Sequence, residues 1–155
     1  MTAAVDYRSV YEIAQDVFVA MVDGDEGLLL PWDAAPAVYD DPLAAWVDVH
    51  GPFEGRVAVT TQVATAHALV RALLDMPADA PVVQADLVDA FGEIANIVGG
   101  SVKALLPEQG TLSVPHVAAQ APADPSPPVQ RLRLAWRGEP LDIDVWMTPE
   151  EGETT

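Results

Sequence analysis

Cysteine is absent from the 155 residues, so no disulfide holds this chain together. Basic residues are scarce: seven Lys and Arg stand against 24 Asp and Glu, for a formal net charge of -17. Such a surface repels nucleic-acid phosphates and anionic membranes, and neither is expected as a partner. No apolar run approaches the roughly 18 residues of a membrane span, and the start of the chain lacks the pattern of a secretion signal. A cytoplasmic location is therefore expected.

Signatures of several common chemistries are also missing. His50, His67 and His116 lie far apart in sequence and have no second ligand at metal-binding spacing, so no metal site is expected. Neither GxxxxGK[ST] nor GxGxxG occurs, and no serine-nucleophile motif surrounds Ser101 or Ser113. We therefore expect no nucleotide site and no serine hydrolase.

The length fits one domain of ordinary size. We interpret residues 1–155 as a single domain with a core over about 8–148 and an acidic, flexible tail over 149–155. Apolar spacing predicts a first helix that is capped by Ser9 and runs to about Met21. Three prolines predict a loop over residues 23–42, and four prolines within residues 121–128 predict a second, extended loop.

Period-two alternation predicts two antiparallel strand pairs. The first pair spans residues 45–49 and 56–60, and the second spans 131–136 and 141–147 with a turn at 137–139. In the second pair, Arg131 and Arg133 are expected to face Asp142 and Asp144 across the strands. Helices are predicted over 62–76 and from about 85 onwards. The fold class is therefore α/β in the α+β-like sense, a mainly antiparallel sheet packed against two or three helices.

Residues 87–105 show a helical pattern with two opposite faces. Because an α-helix turns about 100° per residue, side chains three, four, seven and eight positions apart share a face. The apolar face, expected to pack on the core, comprises Leu87, Phe91, Ile94, Ala95, Val98, Val102 and Leu105. The opposite stripe carries Asp89, Glu93, Asn96 and Lys103, with Gly100 between the last two. Glu93 and Asn96 are therefore expected to be neighbours that point at solvent or at a partner.

Polar residues on the outer face of a helix usually serve only solubility. Here, however, the residues on or beside the stripe weaken their own helix. Each mid-helix glycine costs roughly 1 kcal/mol relative to Ala, and Asn is a mediocre helix former, so Asn96, Gly99 and Gly100 are all unfavourable. Either function requires these residues, or the glycines let another backbone pack closely.

The spacing of Asp89, Glu93, Asn96 and Gly100 resembles the motif of chemotaxis phosphatases of the CheX and CheC type, the CheC/CheX/FliY family. That motif is an acidic or hydroxyl residue, three residues, Glu, two residues, Asn, three residues and Gly. The likeness covers roughly residues 8–148, and its most specific part is residues 89–103. Further similar segments are the turn GPFEGRV at 51–57, the helical TAHALV at 65–70 and the strand TLSVP at 111–115.

The resemblance implies hydrolysis of an aspartyl phosphate on a separate receiver domain, that of a CheY-like response regulator. The receiver would hold the phosphoryl group, a divalent metal (Mg is expected) and a lysine, so this chain needs no cofactor of its own and supplies positioning. Asn96 would orient the attacking water, since an amide donates and accepts hydrogen bonds without adding charge. Glu93 would pair with the receiver lysine. Asp89, Gly100 and Lys103 are implied to contact the partner.

The resemblance also bears on assembly and on alternatives. A single Glu-to-Asn motif matches the one active helix of the CheX type, and that type pairs subunits through its sheet, so a homodimer is implied. The sequence leaves two other functions open. One is a non-catalytic module that uses the same helix to bind or sequester a phosphorylated receiver, and the other is an assembly component of the flagellar-switch kind, which would form stable complexes indifferent to phosphorylation. The first of these needs the same docking face as the phosphatase.

Overall fold

A computed structural model describes residues 5–25, 27–108 and 110–148. Its helices are α1 (Tyr7–Phe18), α2 (Val63–Leu73) and α3 (Gln84–Lys103), and a π-helix (Val19–Asp23) continues α1. Its strands are β1 (Leu29–Pro31), β2 (Pro42–His50), β3 (Glu54–Gln62), β4 (Thr111–Leu112), β5 (His116–Ala118), β6 (Gln130–Trp136) and β7 (Glu139–Thr148). Both predicted strand pairs and both later helices are confirmed. The acidic tail predicted over 149–155 lies outside the described residues.

The described strands form one antiparallel sheet. Its order is β1-β6-β7-β3-β2-β4, and β5 also pairs with β2. The long central strands β2, β3 and β7 run in continuous register, with Val47 opposite Val57 and Val57 opposite Val145. The predicted antiparallel sheet packed against helices is therefore confirmed.

The three helices cover one face of this sheet. Helix α3 packs on β2 and β3, while α1 and α2 pack on α3. The alternating strand residues and the apolar helix faces together enclose one main core, which includes Phe18, Val47, Val57, Phe91, Ile94 and Trp136. None of the described helices is both long enough and apolar enough to cross a membrane.

The prediction for the start of α1 was wrong by three residues. The Asp6 carboxylate, and not the Ser9 hydroxyl, caps the helix by accepting a hydrogen bond from the Ser9 backbone N–H at 2.7 Å. Asp and Ser are both good cap residues, so cap preference alone does not distinguish Asp6 from Ser9. The α-helical part ends at Phe18, and the π-helix then carries the chain to Gly24 at a φ of 72°.

The predicted loop over residues 23–42 contains a strand. Strand β1 pairs with β6, placing Leu29 opposite Trp136 and Pro31 opposite Leu134. Three residues are too few to show a period, and a proline is tolerated here because β1 lies at the edge of the sheet. The other predicted loop, 121–128, is confirmed as irregular. It lies against the outer face of the sheet, where Trp146 donates a hydrogen bond to the Ser126 carbonyl at 3.0 Å.

The β6–β7 hairpin turns at Arg137 and Gly138, whose φ angles of 51° and 85° are those of a two-residue type I′ turn. This turn sets the register that places Arg131 opposite Asp144 and Arg133 opposite Asp142. The predicted cross-strand pairs form, with N–O distances of 3.1 and 3.3 Å. Both aspartates lie on the outer face of the sheet.

These two aspartates are expected to make the stability of the protein depend on pH. Burial raises the pKa of both Asp142 and Asp144, and the attraction of the neighbouring arginines only partly opposes this effect. A carboxyl whose pKa is higher in the folded than in the unfolded protein binds protons more readily when folded. We therefore expect the free energy of unfolding to fall as the pH rises from about 4, the ordinary Asp value, through the raised folded pKa.

Urea unfolding of the wild type and of Asp144→Asn at several pH values measures this effect. The variant should lose part of the dependence on pH, because one of the two titrating groups is gone. Asp16→Asn, on the exposed side of α1, is the control, and its free energy of unfolding should depend on pH as that of the wild type does. The same pH dependence for wild type and Asp144→Asn would contradict the prediction.

Candidate functional site

Helix α3 presents one face to the sheet and the other to solvent, as its sequence predicts. The predicted apolar stripe is buried from Leu87 to Val102. Only Leu105 differs, because the helix ends at Lys103 and Leu105 is half-buried beyond it. Since α3 contacts both β2 and β3, its position is set by the centre of the sheet.

Glu93 and Asn96 lie side by side on the solvent face of α3. Glu93 is exposed and Asn96 is half-buried. The Asn96 side-chain amide Nδ2 donates a hydrogen bond to Glu93 Oε1 at 3.1 Å. The pair therefore forms a small polar unit whose carboxylate is accessible to a cation of a partner protein, and whose amide keeps an acceptor oxygen and a second N–H for other bonds.

The other three predicted site residues lie on the same side of the helix. Asp89 is exposed one turn before Glu93, and Gly100 is half-exposed one turn after Asn96. Lys103 is the last residue of α3, seven residues beyond Asn96 and so about 10 Å along the helix axis. A cation there also favours the C-terminal end of the helix dipole. The structure thus places all five on one face, and their roles remain predictions.

A shallow depression of about 550 Å³ adjoins Glu93. Its lining includes acidic residues of α3, two leucines at the end of α2 and Pro115 from the segment between β4 and β5: Leu73, Leu74, Asp86, Val88, Asp89, Ala90, Glu93 and Pro115. Sequence analysis missed Leu74, Val88 and Pro115. Val88 lies off the predicted apolar stripe of α3, but nothing in the sequence shows that the chain folds so that Leu74 and Pro115 lie beside it.

The residue types around the site do not form a metal centre. Within the described ranges, no three His, Cys, Asp or Glu side chains converge on a point that could hold a metal ion. His50 pairs with Glu54 at 3.2 Å, and His116 stacks on Trp46 with ring centroids 5.5 Å apart. Neither of these histidines belongs to α3.

The two adjacent glycines of α3 have different environments. A Cβ added at Gly99 would overlap the Val47 side chain on β2, so this glycine lets the helix lie close to the sheet. A Cβ at Gly100 would meet only Leu112 Cδ2, at an ordinary 3.8 Å. Close packing therefore explains Gly99, whereas it does not explain Gly100.

Alanine at these two positions should have opposite effects on stability. We expect Gly99→Ala to lower the free energy of unfolding by about 1–3 kcal/mol, the usual cost of overpacking a core. Gly100→Ala should raise it by up to about 1 kcal/mol, because alanine favours a helix more than glycine does. Urea unfolding of the two variants measures this contrast, and each serves as the control for the other. Equal destabilisation by both would contradict it.

Comparison with known proteins links this geometry to a family. The family model described as "Chemotaxis phosphatase CheX" matches residues 43–134, which include the whole of α3. No curated protein matches the chain.

Solved structures resemble most of the chain. The chemotaxis protein CheX from Vibrio vulnificus has a TM-score of 0.71 at 15% identity, over 96% of this chain and 99% of that one. A chemotaxis protein CheX from Desulfovibrio desulfuricans has a TM-score of 0.69 at 21% identity, over 91% and 97%. A CheX-CheY-BeF3-Mg+2 complex from Borrelia burgdorferi has a TM-score of 0.70 at 14% identity, over 92% and 98%. At these identities, the similarity shows a shared fold.

Proposed function

The chain belongs to the CheX family of chemotaxis phosphatases, and on this basis we propose that it dephosphorylates the receiver domain of a CheY-like response regulator. The observation that carries the proposal is the Glu93–Asn96 pair, which lies on the solvent face of a helix whose other face is packed on the core. The Borrelia burgdorferi CheX of similar fold forms a complex with CheY, and this supports the same class of partner here.

The proposed reaction is hydrolysis of an aspartyl phosphate. Asn96 orients a water in line with the bond between phosphorus and the aspartyl oxygen. The water oxygen attacks phosphorus, the bond to the aspartyl oxygen breaks, and the aspartate leaves as a carboxylate, so the products are inorganic phosphate and the unmodified receiver. The water's protons remain with phosphate and solvent. The receiver contributes the divalent metal, for which we expect Mg, and this chain contributes positioning.

Charge explains the different tasks of Glu93 and Asn96. A carboxylate next to a phosphoryl group is repelled, whereas a neutral amide is not. Glu93 therefore suits an ion pair with the receiver lysine, while Asn96 suits the water. In the free protein the two side chains are bonded to each other at 3.1 Å. On docking, the lysine would compete for Glu93 and release the Asn96 amide, which couples binding to the positioning of the water.

The remaining predicted contacts extend this surface along α3. Asp89 would add to the negative potential that attracts the lysine, Gly100 would let the receiver backbone approach, and Lys103 would face an acidic group of the partner. We further propose the homodimer that the family resemblance implies.

The decay of a phosphorylated receiver in the presence of this protein tests the proposal. The receiver is phosphorylated with a small-molecule phosphodonor, the donor is removed, and phosphate release is followed with Mg²⁺ present. Faster decay with this protein supports a phosphatase. Slower decay would show that the protein binds and protects the phosphorylated receiver, and an unchanged rate for every receiver of its source would contradict the proposal.

A further inference from the structure

Exposed apolar side chains are concentrated around the site helix. The described part of the chain has nine exposed large hydrophobic residues, and five of them lie on α3 or beside it: Leu74, Val83, Val88, Ile97 and Val114. Val114 is 72% exposed. It precedes Pro115, which lies so close to α3 that a Cβ added at Gly92 would meet Pro115 Cβ at 3.3 Å.

Two of these residues, Leu74 and Val88, line the depression next to Glu93, and Val114 immediately precedes Pro115, which also lines it. We call Leu74, Val88 and Val114 the apolar collar. Exposed apolar groups gathered at one place on a soluble protein indicate a surface that a partner covers. The collar is continuous with the proposed catalytic pair, because Glu93 lines the same depression.

The charges inside the collar indicate the chemistry of that partner. Asp86, Asp89 and Glu93 all line the depression. Every arginine of the chain bonds elsewhere, to Glu12, Asp48, Asp23, Asp142, Asp144 or the Ala80 carbonyl. A surface with three carboxylates inside an apolar rim complements apolar side chains that flank a lysine or arginine.

We propose that the apolar collar is the main docking surface for the receiver, and that it binds an apolar patch of the receiver beside a lysine or arginine. This inference rests on the proposed function. Long-range attraction does not explain docking, since the chain has a net charge of -17 and the aspartyl phosphate is also anionic. Burial of apolar surface supplies the affinity instead, and the carboxylates select the cation.

Val114→Asp tests the collar, with Val38→Asp as the matched control. Both positions are highly exposed valines, at 72% and 88%, and both variants add one negative charge. Val38 precedes Tyr39, which lines a depression with Asp144 and Trp146 on the outer face of the sheet, away from α3. Receiver dephosphorylation is measured over a range of receiver concentrations to separate KM from kcat.

Val114→Asp should raise KM for the receiver roughly 10- to 100-fold with little change in kcat, the equivalent of losing one buried Val side chain. Val38→Asp should change neither constant. Leu74→Ser against Leu30→Ser repeats the comparison without a new charge. Equal KM values for the collar and control variants would overturn the inference, although the wild type would still be a phosphatase. A wild type without activity on any receiver would instead contradict the proposed function.

Two further measurements test whether the docking is apolar and which molecule covers the collar. Raising NaCl from about 0.05 to about 0.5 M should change the wild-type KM less than about threefold, because apolar contacts are not screened by salt. A much steeper rise would overturn apolar docking. Sedimentation of the same variants tests whether a second copy covers the collar. Dissociation of a wild-type dimer by Val114→Asp, but not by Val38→Asp, would make the collar an interface between copies and overturn its assignment to the receiver.

Discussion

Replacement of Asn96 by alanine is expected to lower the acceleration of receiver dephosphorylation about 100- to 1000-fold, the usual cost of removing one preorganised contact to the transition state. The alanine methyl group can neither donate to nor accept from the attacking water. In the proposed mechanism the Glu93 carboxylate would remain and would still bind the receiver lysine, so the loss should appear mainly in kcat.

The same substitution should leave the fold intact. Asn96 lies on the solvent face of α3, and its side chain bonds to Glu93. Alanine is a better helix former than asparagine by up to about 0.7 kcal/mol, so the midpoint of thermal unfolding should stay the same or rise slightly. A variant that is less active but no less stable would mean that Asn96 serves function at some cost to its helix.

Two variants control for this result. Ser101→Ala makes a similar change five residues further along α3, off the Glu93–Asn96 stripe, and should retain activity. Asn96→Asp keeps the size of the side chain but adds a negative charge, and it should lose activity because a carboxylate is repelled by the phosphoryl group. The decay of the phosphorylated receiver is measured with the wild type and with each variant, and the rates are compared. Full activity of Asn96→Ala would contradict the assigned role.

The second large effect concerns stability. Asp23→Ala is expected to lower the free energy of unfolding by about 3 kcal/mol, the lower end for removing one partner of a buried ion pair. The Asp23 side chain is only 1% exposed. It accepts hydrogen bonds from Trp136 Nε1 at 3.1 Å and from Arg137 Nη2 at 2.8 Å. Arg137 also lies over the Trp136 ring at 4.7 Å.

The large effect follows from what the substitution leaves behind. The Trp136 N–H would lose its partner inside the protein, and the Arg137 guanidinium would lose its carboxylate. Because Asp23 ends the π-helix and Trp136 and Arg137 form the end of the β6–β7 hairpin, the bond also joins the first helical segment to the sheet. We expect the lower end of the usual cost of breaking a buried ion pair, because the Arg137 side chain is 47% exposed.

Thermal unfolding of Asp23→Ala measures this prediction. For a chain of this length, a loss of 3 kcal/mol corresponds to a decrease in Tm of roughly 6–12 °C. Glu12→Gln removes the exposed pair with Arg8 and is the control, with an expected change within about 0.5 kcal/mol. If Tm decreased no more for Asp23→Ala than for the control, the buried pair would contribute little to stability.

The elements that sequence reasoning placed correctly have long, regular patterns. Helix α3 repeats its apolar positions over 20 residues, so its buried face and its polar face are both readable. Strands β6 and β7 alternate between buried and less buried residues along most of their length, and the charges on the β6–β7 hairpin follow from its register. For the same reason, the neighbouring positions of Glu93 and Asn96 were predictable, since three residues of helix suffice to bring them together.

Features without a local repeat were not predictable. The three-residue strand β1 is defined by its partner β6, and the Asp23 bond joins residues more than a hundred positions apart. The apolar collar combines residues from the end of α2, the beginning of α3 and the segment between β4 and β5.

By itself, the sequence determined the long helices and strands, the two faces of α3 and the pair of side chains available for chemistry. These depend on backbone geometry over a few turns or residues. Tertiary packing decided which glycine contacts the sheet, which aspartate is buried, and which apolar side chains remain at the surface around Glu93. Those outcomes depend on contacts between segments distant in sequence, and no local pattern encodes the distance between such segments.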